Sequence, residues 1–222
     1  YYCDRLIDYP FQKNIHQLPK SEFIDCLYDL YNISNGEYHT FKQMLYHKFG
    51  KSIADKFLVP YNEKLYACDL DTLDVDAMGR FFPYANKEEI IQNFKQSENN
   101  SYNGTFLYPY GGAEIYVKAL SDGLNTDQYK LNCTVHQIDT TNHIVTLASG
   151  ETIQYDRLIS TIPLPDLLKL CNIDYNHDLF SWNQVLVFNL GFDKKSTNDT
   201  DHWIYFPQKD ISFYRVGFYD NI

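Results

Sequence analysis

Apolar residues recur at helical spacing through the first hundred positions, then as alternation and short runs towards the end. Residues 6–19, interrupted by Pro10 and Pro19, read as extended chain at an edge or in a loop, because proline cannot donate to a central ladder. A first helix is predicted from Ser21, as cap, to Tyr31, with Phe23, Ile24, Leu27 and Tyr31 on one stripe. Asn35-Gly36 is a turn. Thr40 to Gln43 fits a capping box, with Phe41, Met44, Leu45 and Phe49 on one face and Gly50 as the stop. Ser52 opens a third helix through Phe57 and Leu58, which Pro60 should end. A fourth runs over 87–95 on Ile90, Ile91 and Phe94. After a polar loop at 99–104, residues 105–109 read as a short strand, and Gly111-Gly112 leads into a helix over 113–120. Residues 131–139 and 144–147 form a hairpin about a turn at 140–143, and Ser149-Gly150 makes another turn. Residues 156–163 read as a buried strand, followed by a helix at 166–170. Residues 185–192, 203–207 and 211–219 read as three strands. Helices, then mixed structure, then strands give an α+β class.

Composition narrows what such a chain can do. With 44% hydrophobic residues it can bury a core, no apolar run reaches the length of a membrane span, and no signal peptide is visible. A net charge of -10 argues against a general nucleic-acid binder, while an anionic small ligand stays open if one or two cations are placed locally. Five scattered cysteines without Cys-x-x-Cys spacing favour reduced thiols in the cytoplasm. Aromatic content is 17%, with 20 Tyr and 15 Phe, and tyrosine joins a flat face to a hydroxyl.

Candidate chemistry is sparse. His39 and His47 lack the spacing of a zinc helix, and there is no Gly-x-Ser-x-Gly elbow, Gly-x-Gly-x-x-Gly or phosphate loop. Residues 60–67 place Tyr61, Asn62, Lys64 and Tyr66 beside a helix end, which suits a polar, ring-containing ligand. Arg80 and Arg215 both sit among aromatics, where a guanidinium needs either an internal carboxylate or a bound anion such as phosphate.

Four stretches together resemble the UDP-galactopyranose mutases, most closely their eukaryotic-type branch. They are Tyr9-Pro10-Phe11-Gln12-Lys13-Asn14-Ile15 with Leu18-Pro19; residues 50–57 leading into Pro60-Tyr61-Asn62-Glu63-Lys64-Leu65-Tyr66-Ala67; Asn99…Asn103-Gly104-Thr105-Phe106 with Tyr108-Pro109-Tyr110-Gly111-Gly112; and Trp203-Ile204-Tyr205-Phe206-Pro207…Phe213-Tyr214-Arg215. The resemblance covers the middle of such an enzyme, without its N-terminal dinucleotide-binding unit or its C-terminal segment. It implies a helical subdomain plus an antiparallel β-sheet subdomain with part of an FAD-binding α/β domain. Residues 1–19 would be an extended segment of the sheet subdomain, 20–104 a helical substrate lid, 105–180 the partial FAD-binding domain and 181–222 the antiparallel sheet substrate subdomain.

The resemblance also implies roles. Tyr9, Phe11 and Gln12 match positions holding uracil, Asn62 and Tyr66 match the uridine and sugar wall, and Arg80 matches the arginine of a mobile loop. Asn99 and Asn103 match asparagines near the ligand. Trp203, Tyr205 and Arg215 match residues facing the hexose and diphosphate. Val135, with Gly111 and Gly112, would contact the FAD. The implied activity interconverts UDP-galactopyranose and UDP-galactofuranose through a flavin N5–sugar adduct, for polysaccharide synthesis, with no protein side chain as nucleophile. The implied partners are a UDP-sugar and a possible second copy of the chain, and the isolated fragment would be inactive. Tyr66 stands where the family usually has tryptophan, and residues 79–83 are more aromatic than the usual arginine loop. A related FAD-dependent oxidoreductase acting on another nucleotide sugar or an amine, or a non-catalytic nucleotide-sugar or protein-binding module, shares this frame.

Overall fold

The computed structural model describes residues 1–33, 36–95, 105–125 and 127–222. They divide into two compact units, Tyr1–Leu107 with Asn183–Ile222, and Tyr108–Trp182. The Asn35-Gly36 turn and the 99–104 loop include positions outside the described residues.

In the first unit, α1 (Lys20–Tyr31) packs against α2 (Phe41–Ile53). The buried side of α1 is Cys26 and Leu30, with Phe23 against the core, while Ile24 and Tyr31 are exposed. The expected stripe is thus rotated: a small cysteine one turn before Leu30 allows the close approach to α2 that large side chains would block. α2 starts as predicted, with Thr40 Oγ1 accepting from the Gln43 N–H, but Gln43 reaches back to the His39 N–H rather than to that of Thr40. Phe41, Met44, Leu45 and Phe49 are all buried. Gly50 breaks the helical path at φ 77°, ψ 166°, and a Cβ there would lie 2.7 Å from the backbone carbonyl of Asp29. The Asp29 carboxylate, one turn from the end of α1, accepts from both the N–H and the hydroxyl of Ser52 and so caps the resumed helix from a neighbouring element.

Pro60 does not end that helix. A π-helical turn over Ala54–Leu58 runs directly into α3 (Val59–Tyr66), with Pro60 in its first turn. The wider turn relieves the clash between the proline ring and the preceding carbonyls, and the missing N–H falls where the π turn gives way to α3. α3 ends at Ala67, in the left-handed region, whose N–H donates to the Glu63 carbonyl. α4 (Lys87–Asn93) opens on a capping box between Asn86 and Glu89 and buries Ile90. Residues 6–19 are not extended throughout: 3-10 turns at Phe11–Lys13 and Ile15–Gln17 bury Phe11 and Ile15 in the helical core. Of the three terminal strands, β4 (Trp203–Tyr205) and β5 (Arg215–Gly217) form an antiparallel pair with Trp203 opposite Gly217 and Tyr205 opposite Arg215.

In the second unit, α5 (Ala113–Ser121) and α6 (Leu164–Leu170) accompany a three-stranded antiparallel sheet in the order β1-β2-β3. β1 (Val135–Asp139) and β2 (Ile144–Leu147) are the predicted hairpin, and β3 (Thr152–Gln154) joins after the Ser149-Gly150 turn. Asp139 builds the hairpin turn, its carboxylate accepting from the Thr141 and Asn142 N–H groups.

Three expected strands are absent: 105–109, 156–163 and 185–192 pair with nothing among the described residues. Their apolar side chains are exposed, Ile159 at 91% and Phe192 at 79%. Apolar runs supply strand propensity, but a strand exists only where a second edge completes its ladder. No helix among the described residues is long and apolar enough to cross a membrane.

Candidate functional site

A run of aromatic rings crosses the first unit. Phe11 and Phe57 stack with centroids 4.6 Å apart and planes within 8°, and Phe57 stacks in turn on Tyr61 at 5.3 Å and 16°. Tyr61 meets Tyr205 edge-on at 5.1 Å and Tyr214 at 6.3 Å, while Tyr205 leans on Tyr9 at 6.0 Å. Local structure explains the gathering. Phe57 and Tyr61 lie four residues apart across the π turn, Tyr9 and Phe11 flank Pro10 at a cis peptide bond, and Tyr205 comes from β4. An open cleft of about 250 Å³ is lined by Asp8, Tyr9, Phe11, Phe57, Trp203 and Tyr205 among others.

Burial sets the electrostatics of these rings. It pushes the Tyr9 hydroxyl up to about 12, with Tyr205 adding to the rise, and it raises Tyr61 and Tyr205 as well. The Arg215 cation opposes the rise at both of the latter. All three therefore remain protonated, hydrogen-bonding groups at neutral pH. Arg215 sits opposite Tyr205 in the ladder, its guanidinium carbon 5.8 Å from the centre of the Tyr214 ring. No ion pair among the described residues includes Arg215 or Arg80, so none of the described carboxylates serves as the internal partner of either.

α3 is tied to the β4–β5 arm by several polar contacts. Lys64 Nζ donates to the carbonyls of Phe206 (2.9 Å) and Phe213 (3.1 Å), and Lys209 pairs with Glu63 at 3.1 Å. Asn62 is 2% exposed; its amide nitrogen donates to the Leu58 carbonyl, and its amide oxygen is buried with no partner among the described residues.

Residues 36–212 match the family described as flavin containing amine oxidoreductase. The chain belongs to that family. A crystal structure of reduced UDP-galactopyranose mutase is similar to it with a TM-score of 0.76 and 25% identity, over 97% of this chain and 51% of the other. The chain thus spans about half the length of that structure. The motif resemblance and the α+β class both hold.

Within this amine oxidoreductase frame the sequence-predicted residues fall into four groups. Tyr9, Phe11, Tyr205 and Arg215 come together as described, and Trp203 joins them along the cleft, stacked on Phe106 at 5.6 Å. Gln12 is 1% exposed and donates to the Pro83 carbonyl, anchoring the segment that follows Arg80. Arg80 itself is exposed in a 3-10 turn, its guanidinium carbon 5.0 Å from the Phe81 ring centre, and Tyr66 packs edge-on against Phe41. Among the described residues neither Arg80 nor Tyr66 touches the Tyr9–Tyr205 rings. Asn99 and Asn103 lie outside the described residues. Gly111, Gly112 and Val135 belong to the second unit. Gly111 and Gly112 take φ values of 96° and 97° before α5, whose first turn has no side-chain cap. The Gly112 N–H already donates to the Pro109 carbonyl, so the backbone N–H groups that such a start could offer to an anionic part of a cofactor are those of Ala113 and Glu114.

Tyr61 and Lys64 stand among the residues that the sequence singles out in 60–67, whereas Phe57 does not. The aromatic spacing of four residues between Phe57 and Tyr61 was the available signal, and the expected helix break at Pro60 concealed it.

Proposed function

We propose that the parent protein interconverts UDP-galactopyranose and UDP-galactofuranose. The observation that carries the reading is Arg215, a cation without a carboxylate partner among the described residues of an acidic chain, set beside the rings of Tyr61, Tyr205 and Tyr214. A flat base stacks on such rings, a diphosphate offers the guanidinium paired oxygens, and protonated tyrosines donate to the same group. Asn62, whose amide oxygen has no partner among the described residues, would accept from the base or ribose, and Arg80, on its exposed turn, would add a second cation over the nucleotide.

FAD would be held in part by the backbone at Gly111, Gly112 and Val135, and when bound it supplies the nucleophilic and redox chemistry of the reaction. The chain's own residues bind, orient and neutralise charge.

The test uses the full-length protein, reduced with dithionite and incubated with UDP-galactofuranose, with chromatography for the pyranose. Conversion is expected; a yellow protein that converts nothing would refute the substrate assignment. Arg215→Ala should weaken UDP binding at least about tenfold, as loss of one charge-assisted bidentate contact does, and unchanged affinity would remove Arg215 from the site.

A further inference from the structure

We propose that Lys64 is a positioning residue of this site: its ammonium clamps the β4–β5 arm so that Tyr205 and Arg215 face the rings of α3. The proposal rests on the nucleotide-sugar reading for what Arg215 is held to do.

Lys64 lies one turn beyond Tyr61 on α3, so both side chains leave the same face. Its Nζ donates to two carbonyls from opposite sides of the hairpin, Phe206 and Phe213. Phe206 directly follows Tyr205, and Phe213 lies two residues before Arg215. The Phe206 N–H donates to the Tyr214 carbonyl at 2.9 Å and closes the same rung. One ammonium therefore fixes both chain segments that carry the site's hydroxyl and its cation. Burial lowers the Lys64 affinity for its proton, with Asp210 opposing, as expected of an ammonium spent on carbonyls rather than on an adjacent carboxylate. The neighbouring Lys209–Glu63 pair cannot substitute, because the Lys209 side chain is 77% exposed and such pairs hold little.

The experiment compares Lys64→Met, which keeps length and removes the donors, with Lys64→Arg, which keeps the charge. Amide exchange by NMR should be about tenfold or more faster at Phe206 in the Met variant, unchanged in the core of α2, and largely restored in the Arg variant. UDP affinity by calorimetry should fall about tenfold for Lys64→Met in the wild-type background and by clearly less in an Arg215→Ala background, where only the positioning of Tyr205 is left to lose. Unchanged Phe206 exchange, or affinity losses that simply add, would overturn the proposal. If the wild-type chain ignores UDP while the exchange result appears, the clamp stands and the nucleotide-sugar reading fails. Should the Met variant not fold, Lys64→Gln replaces it with the same two criteria.

Discussion

Replacing Gly50 with alanine tests the junction that brings the α2–α3 segment into place. At φ 77°, ψ 166° the backbone is in a region reserved for glycine, and a side chain there costs roughly 1–3 kcal/mol before any contact is considered. The added Cβ would also lie 2.7 Å from the Asp29 carbonyl and 2.9 Å from the Leu30 nitrogen, both backbone atoms that cannot rotate away. α1 must then retreat from α2, stretching the two hydrogen bonds from Ser52 to Asp29, each a charged-acceptor bond of about 1.5–3 kcal/mol. A loss of at least about 3 kcal/mol follows, near 1.5 M in urea midpoint for a slope of about 2 kcal/mol/M. Gly79→Ala is the control. Its φ is 49°, nothing lies within 4 Å of the new Cβ, and its cost is only the left-handed penalty of about 1–2 kcal/mol. Urea titrations followed by far-ultraviolet circular dichroism would measure both variants. Equal midpoints for the two would refute the claim that backbone contact with Asp29, rather than glycine geometry alone, fixes this junction.

Other outcomes follow from the same geometry. Phe57→Ala removes a buried ring stacked on two others, so the chain should lose about 3–5 kcal/mol in a urea titration, whereas Phe57→Leu should lose clearly less. Burial pushes Cys26 from 9.0, and Tyr9 from 10.0, up to about 12. Each is neutral when protonated, so the stability they contribute is complete below pH about 9 and is lost as pH rises towards about 12. Urea midpoints should fall across that window, and Cys26→Ala should flatten its lower part; a midpoint constant to pH about 11 would contradict the burial of both groups.

Much of the fold could be read from the sequence where local signals agreed. The cap at Thr40, the apolar face from Phe41 to Phe49 and the 131–147 hairpin all involve contacts between residues close in the chain. Failures came where a distant partner decided. The phase of α1 depends on α2, and the cap of Ser52 is a carboxylate from Asp29, 23 positions away. Residues 156–163 and 185–192 carry strand composition but have no ladder partner among the described residues. For the site, the motifs named Tyr9, Phe11, Tyr205 and Arg215, which the fold brings together. Tyr61 and Lys64 stand out within 60–67, but the stack of Phe57 on Tyr61 is concealed where Pro60 reads only as a terminator, and no sequence pattern announces an ammonium shared by two backbone carbonyls.

The π turn at Ala54–Leu58 makes segment length a determinant of the site. It holds one residue more per turn than an α-helix needs, and each helical residue turns its successors by about 100°. Deleting a single residue there would leave a smoother helix and swing Tyr61 out of line with Phe57 and Tyr205. Side-chain identity can change by small steps, but this spacing can change only by a jump. Variation in this wall is therefore expected in the rings themselves, with the number of residues between Gly50 and Pro60 held constant.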